Sequence, residues 1–242
     1  MKQPHFMNKI VGIILLAFFS VTAVQAQEFK FGVKGGLNKT FGGEITGIPS
    51  SPGYTGETFY GEGEIGFHGG VWTQLSFGRF FIRPEVVYAK LKSRFDFPQG
   101  PSLYEVDELS VPFLVGFNVW GPLDIYAGPA YKKIIDSPME NLEPLADPPH
   151  VVVQNFPLSA QLGAKIEFGS FGLDIRYDHS LATAEDQIVD FVSGGPNISN
   201  PTMNRATIND SRLHQVIVSL TIKLFDTENA GKRRRKGGSC YF

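Results

Sequence analysis

Apolar and polar residues alternate with a period of two in eight separate stretches of this chain. The first sets Phe29, Phe31, Val33 and Leu37 against Lys30, Lys34 and Asn38, and the second sets Ile65, Phe67, Val71, Leu75 and Phe77 against Glu64, His68 and Gln74. In the third, Phe80, Ile82, Val86 and Tyr88 oppose Arg83 and Glu85. The fourth places Leu109, Val111, Phe113, Val115, Phe117 and Val119 on one parity with no charge among them. Leu123, Ile125 and Tyr131 then face away from Asp124 and Lys132, and Leu158, Leu162, Ile166 and Phe168 from Gln161, Lys165 and Glu167. The seventh opposes Phe171, Leu173, Ile175 and Tyr177 to Asp174, Arg176 and Asp178. The last opposes Val216, Val218, Leu220, Ile222 and Leu224 to Gln215, Ser219 and Lys223. Successive side chains of a strand point to opposite faces, so the pattern predicts eight strands, each with one wholly apolar face.

Three of the joins are tight: Phe77-Gly78-Arg79-Phe80, Trp120-Gly121-Pro122-Leu123 and Phe168-Gly169-Ser170-Phe171. Glycine at the first central position suits a type II′ hairpin, because it takes positive φ without a Cβ clash. The other joins, 42–62, 96–108, 136–156 and 185–210, are long and rich in Gly, Pro, Ser and Asn, as exposed loops are. Short turns at one end and long loops at the other predict an all-β, eight-stranded antiparallel up-and-down transmembrane β-barrel over residues 27–225. The competing architecture is a soluble calyx with apolar residues inside. It would have to enclose every aromatic of the eight runs while holding seven cations and six anions outside. Pro112 and Pro129 fall inside strands and remove ladder donors, which predicts bulges there.

Composition adds an address. Lys2 and Lys9, the apolar run Ile10 to Phe19 and the small residues of Val24-Gln25-Ala26 predict a secretory signal over 1–26, with Gln27 starting the mature chain. The mean hydropathy of −0.06 is ordinary, because only alternate residues of a barrel strand meet lipid. The body from 27 to 225 carries 15 basic and 22 acidic residues, which argues against nucleic acid as a partner. One cysteine, Cys240, rules out an internal disulfide framework and a multi-thiolate metal site.

An eight-stranded barrel leaves an interior that side chains can fill. The inward set is almost charge-balanced. Lys34, Glu64, Arg83, Glu85, Lys165, Glu167, Asp174 and Arg176 are expected to form an ion-pair network that plugs the lumen, centred on Arg83, Glu85, Asp174 and Arg176. The rival use of such residues is a narrow ion path. Lys90, Lys92 and Lys133 fall just above the apolar band, where they are expected either to meet lipopolysaccharide phosphates or simply to sit at the lipid interface, as basic residues often do.

Catalytic chemistry finds little support. In Asp178-His179-Ser180 neighbouring residues point to opposite faces, so His179 is badly placed to activate Ser180. His68 and His214 have no evident catalytic partner, and no metal or cofactor motif is present. The acidic, proline-rich stretch 136–149 matches no calcium-loop spacing. After Phe225 a tail, 226–242, carries Lys232, Arg233, Arg234, Arg235, Lys236 and Cys240. It is expected on the periplasmic side, either solvated or docking an envelope protein partner.

Five stretches resemble the PorT-type outer-membrane β-barrel family, whose architecture is that of OmpX and the OmpA barrel. They are Phe31-Gly32-Val33-Lys34-Gly35-Gly36-Leu37-Asn38, Leu109-Ser110-Val111-Pro112-Phe113-Leu114, Ile125-Tyr126-Ala127-Gly128-Pro129, Leu173-Asp174-Ile175-Arg176-Tyr177, and Val218-Ser219-Leu220-Thr221-Ile222-Lys223-Leu224-Phe225. The resemblance implies a single barrel in the outer membrane of a Gram-negative-type envelope and brings no catalytic residue; the even number of strands predicts both termini on the periplasmic side. It suggests a structural or partner-binding role. The alternative is an accessory subunit of a secretion or gliding machinery docked through the tail, and a lipid-modifying enzyme is the third class.

Overall fold

The structure, a computed structural model, describes residues 28–48, 56–97, 100–139, 142–143, 157–181, 186–193 and 202–227. The signal segment and nearly all of the tail, including Lys232 to Lys236 and Cys240, lie outside the described residues. Eight long strands form the barrel: β1 (Glu28–Phe41), β2 (Ile65–Phe77), β3 (Phe80–Phe97), β4 (Gly100–Trp120), β5 (Leu123–Asp136), β6 (Leu158–Phe168), β7 (Phe171–Ser180) and β8 (His214–Asp226). Each pairs antiparallel with its neighbours in sequence, and β1 closes on β8 from Lys30↔Asp226 to Phe41↔His214. Closure leaves no open edge among these strands.

The three tight turns have Gly78, Gly121 and Gly169 at φ +63°, +53° and +61°. A Cβ built at any of them would meet nothing within 4 Å. Backbone conformation, and not crowding, is what requires glycine there. The described ends of the chain meet on this side, where the Phe29 N–H donates to Thr227 Oγ1 at 2.9 Å.

Two expectations are corrected. Pro112 and Pro129 sit in register, opposite Ala130 and Ala160, and no bulge occurs at either. Beside Pro112 the ladder skips from Pro112↔Ala130 to Val115↔Ala127 without changing register. A lost donor is absorbed as a missing rung, so side-chain parity survives; the shifts lie elsewhere, at Phe31/Gly32, Asp107/Glu108 and Asn118/Trp120.

The second correction concerns the loops. Residues 96–108 are no long loop: β3 and β4 continue as one hairpin down to Phe97↔Gly100. The other three long joins contribute five short strands to a second sheet, in the order Thr58–Tyr60, Glu44–Gly47, Thr202–Asp210, Gln187–Ser193 and Leu142–Glu143. Between this sheet and the tall β3–β4 hairpin lies a conventional apolar core that includes Ile45, Leu91, Phe95, Tyr104, Val106 and Ile208. The inward parity of β3 is therefore ionic at Arg83 and Glu85 but apolar from Val87 to Leu91 and at Phe95 and Phe97. Burial pushes the Tyr104 hydroxyl well above its usual pKa. Outside that core, burial would raise the Asp210 carboxyl, but hydrogen bonds from the Arg212 side chain and backbone outweigh it and hold the group below its usual range.

Candidate functional site

Polar parity, set by the strand pleat, delivers the charged side chains to the lumen. Three contacts then tie opposite walls at three heights. Nearest the tight turns, Lys165 Nζ on β6 donates to Gln74 Oε1 on β2 at 3.3 Å. At mid-height Arg176 on β7 grips Glu85 on β3 with two bonds of 3.0 Å. Higher up, Gln215 Nε2 on β8 donates to Glu108 Oε1 on β4 at 3.0 Å. In the ring each of these strand pairs is four strands apart in either direction, so each bond crosses the bore.

Glu85 is the hub of the middle layer. Besides Arg176 it meets Lys34 Nζ at 3.1 Å and Arg83 Nε at 2.8 Å, and all four side chains are at most 2% exposed. Arg176 also donates to Gln161 Oε1 at 2.9 Å and, through Nε, to the Tyr126 hydroxyl at 3.1 Å. Asp174 accepts from Tyr126 at 2.5 Å and lies 3.4 Å from Arg176 Nη2. Arg83 is held less fully. Its Nε contact with Glu85 is an ion pair off the line of a hydrogen bond, and Nη1 and Nη2 find no hydrogen-bond partner among the described residues. Instead the guanidinium lies 4.5 Å from the centre of the Trp72 ring, a cation–π contact.

Above this layer Lys132 bridges Glu108 at 3.3 Å and Asp178 at 3.0 Å. Below it Lys165 meets Asp124 at 3.2 Å and Glu167 at 2.9 Å. Glu167 also takes Lys223 at 3.0 Å and Lys30 at 3.8 Å. Glu64 stands apart from this network: β2 begins only at Ile65, and the Glu64 N–H donates to the Lys92 carbonyl at the outer rim. A cavity of about 190 Å³ opens at the tight-turn mouth among Glu28, Lys30, Arg79 and Asn118. Inside, a void of about 20 Å³ lies beside Lys34, His68, Ser110 and Asp178, room for a single water-sized group.

Aromatic side chains complete the filling, each seated on a glycine directly across the ladder. Trp72 faces Gly32, Phe81 faces Gly116 and Tyr126 faces Gly163. A Cβ on Gly116 would lie 2.1 Å from the Phe81 ring, so Gly116→Ala is expected to destabilise the barrel by roughly 1–3 kcal/mol. Gly35 faces outward with nothing nearer than 3.6 Å to such a Cβ, and Gly35→Ala should leave the urea midpoint within error or raise it.

Four of these lumen residues pass unnoticed in the sequence: Trp72, Phe81 and Tyr126 have inward parity but are aromatics, a residue type expected to face lipid, and Glu108 lies in a stretch assigned to a loop. The signal for Glu108 was its shared parity with Ser110, Val106 and Tyr104.

No hydrolytic constellation forms among the described residues. His179 points outward and stacks on His214, whereas Ser180 is buried on the lumen side. His68 Nε2 lies 2.8 Å from Ser219 Oγ, but its Nδ1 has no hydrogen-bond partner to orient the ring. Lys90 and Lys92 at the outer rim are neutralised within the chain, by Glu105 at 3.1 and 2.9 Å, with Asp107 3.9 Å from Lys90.

No family model matches the chain, and no curated protein matches it. Among solved structures it is similar to the outer membrane protein OprG from Pseudomonas aeruginosa, at 11% identity and a TM-score of 0.46 over 83% of this chain and 97% of that one. It is also similar to Ail, the attachment invasion locus protein of Yersinia pestis, at 10% identity and a TM-score of 0.40 over 82% and 100%. Neisserial surface protein A is similar at 10% identity, with a TM-score of 0.33 over 80% of this chain and 97% of that one.

Proposed function

We propose that this chain is an integral outer-membrane barrel of PorT type, with a lumen closed by ion pairs and a structural or partner-binding role. One observation carries the reading: polarity is inverted relative to a soluble barrel. The outward side chains from Phe80 to Tyr88 on β3, from Leu109 to Val119 on β4 and from Phe171 to Tyr177 on β7 include no ionised group, and on β1 and β5 the outward cations, Lys39 and Lys133, stand only at the level of Tyr177 and Leu109, the loop-side end of these runs. Phe113, Val115, Leu162, Ile175 and Leu220 are exposed, while Arg83, Glu85 and Asp174 are wholly buried. Water would oppose that arrangement on both faces, since it leaves a continuous apolar belt in solvent and takes charges out of it. An acyl-chain environment favours it.

The extracellular sheet and its apolar core support a presenting role, because they give the outer loops a folded surface. The alternative, an accessory subunit docked through Lys232 to Lys236 and Cys240, is favoured by the exit of the chain at Thr227 on the short-turn side. Reconstituted into planar bilayers, the wild-type barrel is expected to be electrically silent. Steady openings larger than a small-ion leak would contradict the plugged lumen.

A further inference from the structure

The outer rim carries basic side chains on two opposite sectors, and their surroundings differ. On β3–β4, Lys90 and Lys92 are matched across the strand by Asp107 and Glu105. On the β1–β8–β7 sector the exposed Lys39 has no ion pair among the described residues. Lys39 pairs with Val216, which pairs with Tyr177. One rung beyond Asp178↔Gln215, His179 and His214 face each other across β7 and β8. Their rings stack at 4.3 Å and 5°.

The hydrogen bonding of His214 decides which of its atoms is offered. The Ser180 backbone N–H donates to His214 Nδ1 at 3.1 Å, so the neutral ring keeps its proton on Nε2 and presents a donor. That same bond makes Nε2 a poor ligand for a metal, since its lone pair is taken by the proton. His179 is exposed, so its ring nitrogens are open to a ligand. The nearest acids do not compete. Asp178 faces the lumen and bonds Lys132, and Asp210 is engaged by Arg212 at 2.7 Å. The Tyr177 hydroxyl lies 3.5 Å from His179 Nδ1.

We propose that Lys39, His179 and His214 bind a phosphate monoester carried by an outer-leaflet lipid headgroup. The inference rests on the membrane reading above. Its basis is position together with chemistry: a cation on the rung of Val216 and Tyr177, and two imidazoles on the next outward-facing rung beside Phe41, stand unmatched by acid among the described residues at the edge of the apolar belt. Headgroup phosphates occupy that level, and N–H donors with positive charge are what a phosphate dianion recruits.

The full-length barrel, folded in detergent, is titrated by native mass spectrometry with bis-phosphorylated lipid A, dephosphorylated lipid A and inorganic phosphate. Wild type is expected to retain the phosphorylated lipid preferentially. Lys39→Gln combined with His179→Gln should weaken that retention about tenfold, as loss of a charge-assisted contact implies. Lys90→Gln combined with Lys92→Gln should leave it unchanged. All these side chains lie outside the lumen network, and the shifted gel band of a folded barrel checks each variant. Equal loss in both double variants, or no preference for the phosphorylated lipid, would overturn the site. Inorganic phosphate binding as tightly as the lipid would overturn the headgroup source. A barrel that stays soluble and monomeric without detergent would instead defeat the membrane reading, whatever it binds.

Discussion

Glu85→Gln is expected to be the most damaging single substitution in the lumen, destabilising the folded barrel by about 3–5 kcal/mol. The change is nearly isosteric, so the effect is electrostatic. Lys34, Arg83 and Arg176 all converge on this carboxylate, within 3.1 Å. Without its charge, three buried cations would share Asp174 alone, which already lies 3.4 Å from Arg176 and 4.0 Å from Arg83. Arg176→Met makes the informative comparison. It removes more hydrogen bonds, yet leaves two cations facing two carboxylates, and is expected to cost clearly less than Glu85→Gln. Urea unfolding in lipid vesicles measures both. If Arg176→Met proved the worse of the two, hydrogen-bond count and not charge balance would govern the lumen.

Phe95→Ala is expected to cost about 3–5 kcal/mol, the usual range for emptying a buried aromatic site. Its effect should be local. Phe95 is 2% exposed, stacks on Phe97 at 6.1 Å, and lies where a Cβ on Gly43 would come within 2.8 Å of its ring. The stack on Phe97 lies within β3, whereas the core that Phe95 shares with Ile45 and Ile208 binds the second sheet to the β3–β4 hairpin, above the ion-paired lumen. The layer of the second sheet should therefore open while the barrel stays closed, as partially independent units do. Proteolysis on intact cells and hydrogen exchange at Ile45 and Ile208 would rise, while the shifted gel band of the folded barrel persists. Loss of that band together with the exchange protection would show that the two layers unfold as one.

The eight strands, their tight turns and the direction in which each side chain points could all be read from the chain. Period two is a local property of the pleat, and three glycines mark turns whose backbone needs positive φ. Identities inside the lumen were legible only as a list. Lys34, Arg83, Glu85, Lys165, Glu167, Asp174 and Arg176 have inward parity, but nothing local says that Arg176 meets Glu85, 91 residues away. Glu64 shows the limit: it has the parity of its strand and lies just beyond its end. The second sheet was not legible at all. Its strands are two to nine residues long and come from three separate joins, so none carries enough alternation to stand out from a loop.

Sequence by itself determined that this protein is a barrel with an apolar exterior and an ionic bore, because parity assigns every strand residue to one face. Tertiary structure alone decided which charges meet, which glycine each inward aromatic packs on, and that the long joins fold over an apolar core. Those outcomes depend on strand register and on the distance across a closed ring. Both arise only when segments far apart in the chain are brought side by side.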